Sequence, residues 1–166
     1  MAYTTIDDPT AYFQTVIWTG NGSARSITLD GNSDLQPDMV WLKQRSGTEN
    51  HNLYDSVRGA GVRLIPNLAN SESTTNELTA FNSDGFSLAD GDEVNASSST
   101  YVAWSWKGGT TGSGTTNGSK AYSYSASPDA GFSVVTYTGN ATAGHLIPHG
   151  MGKVPRLIHV KSRADD

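Results

Sequence analysis

Residues 101–106 read Tyr101-Val102-Ala103-Trp104-Ser105-Trp106, and the run stops at two glycines, Gly108 and Gly109. Aromatic and β-branched residues favour extended strands, and glycine ends them. Side chains alternate between the two faces of a strand, so Val102, Trp104 and Trp106 are predicted to share one face. The stretch therefore predicts a β-strand that is apolar on at least one side.

Similar short apolar runs recur along the chain, at residues 13–18, 39–42, 62–65, 78–81 and 86–88. Each has strand length and is bounded by turn-forming residues. Asn82-Ser83-Asp84-Gly85 separates the last two runs and is typical of a hairpin. No window shows a helical stripe, and the serine- and threonine-rich residues 68–77 indicate a loop. The pattern predicts an all-β chain.

Two blocks of the sequence return later in the same order and at nearly the same spacing. Residues 13–21 return as 132–140, and residues 37–46 return as 155–164. This repeat indicates a tandem β module. Everything after residue 50 in the first copy lacks a counterpart, so either the chain is part of a longer array or the half copy completes the first by strand exchange.

The stretch between the copies differs in composition. Residues 108–119 contain only glycine, serine, threonine, asparagine and no apolar side chain, which predicts a flexible linker or a long exposed loop. The predicted organisation is an N-terminal arm (1–11), a sandwich module (12–107), a linker (108–130) and the first part of a second, truncated module (131–166).

Composition limits the classes of partner. The formal net charge is -5, and the basic residues are scattered among carboxylates, so the sequence predicts no nucleic-acid partner. There is no cysteine, which excludes disulfides and thiolate chemistry. The N-terminus has neither a basic start nor an apolar stretch, and no apolar run approaches the roughly 20 residues that span a bilayer. We expect synthesis in the cytoplasm and no membrane insertion.

Several blocks resemble one known module: residues 13–21, 37–46, 50–59, 81–88 and 101–107. The module is repeated in structural proteins of tailed phages, especially phages of marine bacteria and cyanobacteria, and the opening residues 1–9 resemble the start of such proteins. The resemblance covers residues 3–107, with a partial copy at 131–163. It implies an antiparallel β-sandwich, jelly-roll or lectin-like, in a tail fibre, head fibre or similar appendage, and it brings no catalytic residues or cofactor.

The function implied by this resemblance is that of a non-enzymatic virion structural protein, located in the particle. The part concerned is the virion-attached, N-terminal part of a tail fibre. The alternatives are a carbohydrate-binding receptor module, which would recognise a host surface glycan, or a capsid-surface decoration. Partners would be other virion proteins, and the resemblance implies a homo-oligomer, a trimer for a fibre.

The N-terminal arm carries four spaced anchors among threonines and aspartates, namely Tyr3, Ile6, Pro9 and Tyr12. They are the candidates for virion attachment. Because residues 1–11 alone hold too little apolar surface to fold, we predict that they become ordered only through a partner chain. The half repeat raises the same question, and we predict that residues 131–163 are buried against another chain or against sequence that is absent here.

Polar clusters give no strong sign of chemistry. His145 and His149 have helical spacing, but Pro148 and flanking glycines indicate a turn instead of a metal site. Residues 90–95 gather carboxylates without the order of a calcium loop, which again favours a turn. His51, in an apolar setting, is interpreted as a hydrogen-bonded edge residue. The sequence predicts no metal, no cofactor and no catalytic residue.

The four tryptophans allow two interpretations. All lie in strand-like runs, where buried aromatic rings supply core area, and we favour the core. Trp41, Trp104 and Trp106 are kept as candidates for stacking on a sugar, which an exposed aromatic platform would support.

Overall fold

A computed structural model describes residues 6–164 of the chain. Within them, twelve strands and one helical turn, α1 (Asp92–Asn95), follow a short 3-10 turn at Pro9–Ala11. The strands are β1 (Phe13–Thr19), β2 (Arg25–Ile27), β3 (Met39–Gln44), β4 (Asn52–Asp55), β5 (Val62–Arg63), β6 (Ser73–Thr74), β7 (Leu78–Asn82), β8 (Gly85–Leu88), β9 (Thr100–Trp106), β10 (Thr110–Thr115), β11 (Ala121–Ser127) and β12 (Phe132–Tyr137). The all-β prediction is confirmed.

The first module consists of two main antiparallel sheets. One sheet has the order β1-β9-β3-β4, and the other has the order β2-β8-β7. Strand β9, from which the sequence argument started, is central, because it pairs with β1 on one side and with β3 on the other. The small pair β5-β6 stands beside them.

The hydrophobic core lies between these two sheets. Its members come from both sheets and from α1, and they are Trp18, Ile27, Val40, Leu42, Tyr54, Leu78, Phe86, Leu88, Val94, Tyr101 and Ala103. Alternation places Tyr101, Ala103 and Ser105 on the buried side of β9. Trp18 stacks on Tyr101 with ring centroids 5.4 Å apart, and its edge meets Phe86. The packed antiparallel sheets confirm the predicted sandwich.

The segment predicted to be a linker contains two strands. Thr110–Thr115 pairs with Ala121–Ser127, which in turn pairs with Phe132–Tyr137, to form a third antiparallel sheet. The prediction of a flexible stretch is therefore wrong for these residues. The composition gave the wrong prediction because the residues of β10 are themselves mostly exposed. The glycines of β10 lie under tyrosine rings, and a Cβ at Gly112 would stand only 2.4 Å from the ring of Tyr124.

Residues 8–11 of the N-terminal arm make hydrogen bonds within the chain, and their predicted dependence on a partner chain stays a prediction. Asp8 accepts hydrogen bonds from the backbone N–H of Thr10 (2.9 Å) and the hydroxyl of Ser33 (2.7 Å). The side chain of Gln14 then donates to the carbonyl groups of Thr10 and Ser33. Neighbouring polar groups of the same chain thus contribute to the conformation of residues 8–11.

Residues 157–162 form no strand, although they are the repeat counterpart of β3. They run beside the first module, and β12 packs against it: the ring of Phe132 stacks on Trp106 with centroids 5.9 Å apart. The predicted burial of this half copy by another chain or by absent sequence stays a prediction. No helix in residues 6–164 is long and apolar enough to cross a membrane.

Candidate binding surface

The sheet β1-β9-β3-β4 is apolar on both of its faces. One face forms the core, and the strand registers bring the remaining apolar residues together on the other. Trp104 pairs with Trp41 on one neighbouring strand and with Thr15 on the other, and Trp106 pairs with Phe13 and Met39. We call this second side the outer face and define it by Phe13, Ile17, Trp41, Val102, Trp104 and Trp106.

The outer face is partly covered and partly open. Ile17 and Phe13 remain 62% and 40% exposed, and the other four residues are half-buried. Phe13 packs on Trp106, with centroids 5.1 Å apart. Because aromatic side chains contribute large apolar area, a row of this kind favours contact with another surface or a flat ligand.

The structure corrects our interpretation of the tryptophans. Only Trp18 lies in the core, whereas Trp41, Trp104 and Trp106 point to the outer face. Strand alternation predicted correctly that Trp104 and Trp106 share a face, but sequence could not tell which face is covered. The sugar-stacking candidates are thus brought together on one side of the sheet.

Trp41 has the most polar surroundings on the outer face. Its indole N–H donates to Nδ1 of His51 at 3.0 Å, and its ring stacks on His159 with centroids 6.0 Å apart. Burial lowers the pKa of His51, and the nearby charge of Lys43 lowers it further. The neutral imidazole is therefore favoured, as the accepted hydrogen bond requires. The interpretation of His51 as a hydrogen-bonded edge residue agrees with this geometry.

Asp38 connects the first module to the third sheet. Its carboxylate, which is buried, accepts hydrogen bonds from Ser56 (2.6 Å), Ser125 (2.8 Å) and the backbone N–H of Gly108 (2.9 Å). Sequence reasoning missed this role, since an aspartate after proline at the start of a strand is an ordinary turn residue. Beside it lies an open groove of about 380 Å³, lined by Ser56, Val57, Thr111, Gly112, Ser123 and Tyr124 among others.

A second buried polar cluster surrounds Arg63. Its guanidinium pairs with Glu77 (3.5 Å) and Glu93 and donates to the amide oxygen of Asn52 (3.3 Å). Burial raises the pKa of Glu77, and the neighbouring charge of Glu93 raises it further. One arginine thus bridges two carboxylates, that of Glu77 just before β7 and that of Glu93 in α1, and joins these two parts of the chain.

The histidines and carboxylates of the sequence analysis are dispersed. His145 hydrogen-bonds Thr116, while the Nδ1 of His149 accepts from the backbone of Met151. Residues 92–95 form α1, where the Asn95 amide donates to Asn21 and to the carbonyl group of Ser23. Across residues 6–164, no group of three or more such side chains could hold a metal ion.

Of the proposed attachment residues, Tyr3 lies outside the described residues. Ile6 and Tyr12 are half-buried, and Pro9 is exposed at the start of the 3-10 turn. The backbone carbonyl of Tyr12 accepts from Lys107 at 2.8 Å, which ties the arm to the end of β9.

These features define a β-sandwich module with a two-sided main sheet. The chain matches, over residues 8–166, the family described as Domain of unknown function (DUF7483), and it belongs to that family. Neither the curated proteins nor the solved structures contain a match.

Proposed function

We propose that the protein is a non-enzymatic structural component of a bacteriophage particle, in the virion-attached part of a tail fibre or similar appendage. The observation that carries the proposal is the two-sided sheet. A lone sandwich needs only one apolar face on each sheet, and a second face with three tryptophans calls for a neighbouring protein surface.

The internal repeat supports the same function. Fibres and related appendages are long assemblies, and modules in tandem bury their second faces against their neighbours. In this chain the sheet β10-β11-β12, which includes part of the second copy, already packs at the end of the outer face through Phe132 and Trp106. The resemblance to repeated modules of tailed-phage structural proteins gives the particle as the setting.

The test is the protein content of purified phage particles that encode this sequence. Peptides of the chain should appear by mass spectrometry at a defined copy number, and gold-labelled antibodies should mark one appendage. A chain that is abundant in infected cells but absent from density-purified particles would contradict the proposal.

Carbohydrate binding by the outer face is a second candidate function. It is favoured by the partly exposed rings of Trp41, Trp104 and Trp106 on one side of the sheet, because sugar rings pack on flat aromatic surfaces. A host surface glycan would then be the ligand.

Binding to an array of bacterial surface glycans separates the two candidates. A carbohydrate-binding module should retain defined glycans and lose them on Trp104→Ala, while Tyr137→Ala, at an exposed ring of the third sheet, serves as the matched control. Retention that is unchanged by Trp104→Ala would exclude the outer face as the sugar site.

A further inference from the structure

The sequence contains two Asn-Gly pairs, Asn21-Gly22 and Asn117-Gly118. An asparagine in this position can cyclise, because the backbone nitrogen of the next residue can attack the side-chain amide carbon and glycine has no side chain to hinder the approach. The attack requires that the proton of that nitrogen be removed. The contacts of the glycine N–H therefore decide which of the two pairs can react.

A hydrogen-bonded relay begins at the N–H of Gly118. The buried hydroxyl oxygen of Thr116 accepts from this N–H at 3.3 Å and from the N–H of Lys120 at 3.2 Å, and Nε2 of His145 lies 2.6 Å from the same oxygen. Two donors occupy both lone pairs of the hydroxyl, so its own hydrogen must point to His145. The relay thus connects the Gly118 nitrogen, through Thr116, to an imidazole nitrogen that accepts a proton.

The side-chain amide of Asn117 is held on both of its polar atoms. Its Oδ1 accepts from the backbone N–H of Leu146 at 2.9 Å, and its Nδ2 donates to the carbonyl group of Gly144 at 3.1 Å. The donor on Oδ1 stabilises the negative charge that develops there when the amide carbon is attacked. Asn117 is exposed, in the turn between β10 and β11, so water also reaches this amide.

The other pair lacks such a relay. The N–H of Gly22 donates to the backbone carbonyl group of Asn95 at 2.8 Å, and a carbonyl oxygen cannot take up its proton at neutral pH. The Oδ1 of Asn21 accepts from the side chain of Asn95 and from the backbone of Ser23, so its amide is fixed as well. The same chain therefore provides a matched internal control.

We propose that Asn117 is a site of self-modification, which cyclises with Gly118 and is converted to aspartate and isoaspartate. The Gly118 nitrogen bonds to Cγ of Asn117 and gives its proton through Thr116 to His145. The bond from Cγ to Nδ2 breaks, and Nδ2 leaves as ammonia with a proton returned through solvent. Water then opens the cyclic imide at either carbonyl group. The reaction consumes water, releases ammonia and needs no oxidant or reductant.

The modification changes how the turn holds residues 144–146. A carboxylate at position 117 cannot donate to Gly144 and places a negative oxygen beside that carbonyl group. The isoaspartate product also adds a carbon atom to the backbone of the turn. Residues 144–146 should therefore lose part of their attachment as the chain ages. This inference does not depend on the particle in which the protein is used.

The test follows the complete chain during incubation at neutral pH. Tryptic peptides 108–120 and 1–25 separate the two pairs, and mass spectrometry measures the exchange of NH for O in each, with a sample digested at the start as background. Asn117 should react about tenfold or more faster than Asn21 in the folded chain, and the two should react at similar rates in urea. Asn117 should also react faster in the folded chain than in urea. An Asn117 that is no faster than Asn21, or slower folded than in urea, overturns the proposal.

Three variants test the relay. His145→Gln keeps an acceptor for the Thr116 hydroxyl but no base, and Thr116→Val removes the hydroxyl, so each should slow the reaction of Asn117 by about tenfold or more. Thr116→Ser keeps the hydroxyl and should keep the rate. In His145→Gln, hydrogen exchange of the Gly118, Lys120 and Leu146 amides should be unchanged. An unchanged reaction rate overturns the proposal, and so does a lower rate accompanied by faster exchange of these amides, since His145 would then only hold the turn.

Discussion

At the junction between the first module and the third sheet, single polar residues contribute strongly to the stability of the fold. Asp38 is the clearest case, because one buried carboxylate satisfies two hydroxyl groups and one backbone N–H from three different parts of the chain. Hydrogen bonds to a charged group are stronger than neutral ones, and a buried donor that loses its acceptor is costly.

We therefore expect Asp38→Ala to lower the free energy of unfolding by about 3 kcal/mol, since Ser56, Ser125 and the N–H of Gly108 all lose their acceptor. Urea unfolding followed by tryptophan fluorescence measures the loss. Asp129→Ala, at an exposed aspartate in the turn before β12, is the control and should change stability by less than about 0.5 kcal/mol. Equal effects of the two substitutions would show that the junction is not held by Asp38.

Protonation of His51 should make the stability of the outer face depend on pH. Its pKa is lowered in the folded chain, so the neutral form is favoured there relative to the unfolded chain. The stability that His51 contributes is fully present above its pKa in the unfolded chain, about 6.5. This contribution is lost as the pH falls from that value through the pKa in the folded chain. Two-dimensional NMR should show the His51 titration together with a shift of the Trp41 indole N–H. In His51→Gln the indole signal should no longer titrate, and titration that continues would assign the effect to another group.

At the scale of strands, the hairpin between β7 and β8 was predicted from Asn82-Ser83-Asp84-Gly85, and the structure shows why glycine ends it. Gly85 has a φ of +99°, and a Cβ there would stand 2.0 Å from the carbonyl oxygen of Ile27. Both the left-handed backbone and the close approach of β2 exclude a side chain.

Gly85→Ala should accordingly destabilise the chain by about 3 kcal/mol, through backbone strain and displacement of β2. Thermal unfolding with calorimetry gives the difference. Gly139→Ala is the matched control, because a Cβ at that position meets no atom within 4 Å. A Gly85 variant as stable as the control would mean that the hairpin can move away from β2 without cost.

The features that the sequence predicted depend on local pattern, whereas the features that it missed depend on contacts between distant parts of the chain. Alternation along Tyr101–Trp106 defines two faces of a strand, and turn residues define its ends, so β1, β3, β5, β7, β8 and β9 were predictable from local pattern. Strands β2 and β4 were not among the predicted runs, and β6 lies within residues 68–77, where the predicted loop was wrong. The assignment of the tryptophan side to the outer face was not, because both faces of β9 are apolar and pairing with distant strands decides which is buried. Strand β10 was missed since its order comes from the Tyr122 and Tyr124 side chains of its neighbour and not from its own composition.

The whole molecule combines a closed core with open apolar surfaces. All core members lie between Trp18 and Ala103, so the first module holds its own core without the third sheet. The third sheet and residues 157–163 cover only part of the outer face, through Phe132 on Trp106 and His159 on Trp41. Stability and association should therefore depend on different parts of the chain.

Removal of residues 109–166 tests stability and association separately. The shortened chain should still unfold in one cooperative transition with a strand-type circular dichroism spectrum, because its core is intact. It should lose about 1–2 kcal/mol of stability, since Ser125 no longer satisfies Asp38 and Phe132 no longer covers Trp106. Its newly open outer face should make it self-associate, seen as a concentration-dependent mass in sedimentation equilibrium. The same shortened chain with Trp104→Thr and Trp106→Thr is the control and should stay monomeric while keeping its fold, because both side chains lie outside the core.

If the shortened chain is unfolded, the third sheet is part of the folding unit. If it is folded and monomeric at every concentration, the outer face does not need a neighbour, and the two-sided sheet loses its value as evidence for assembly.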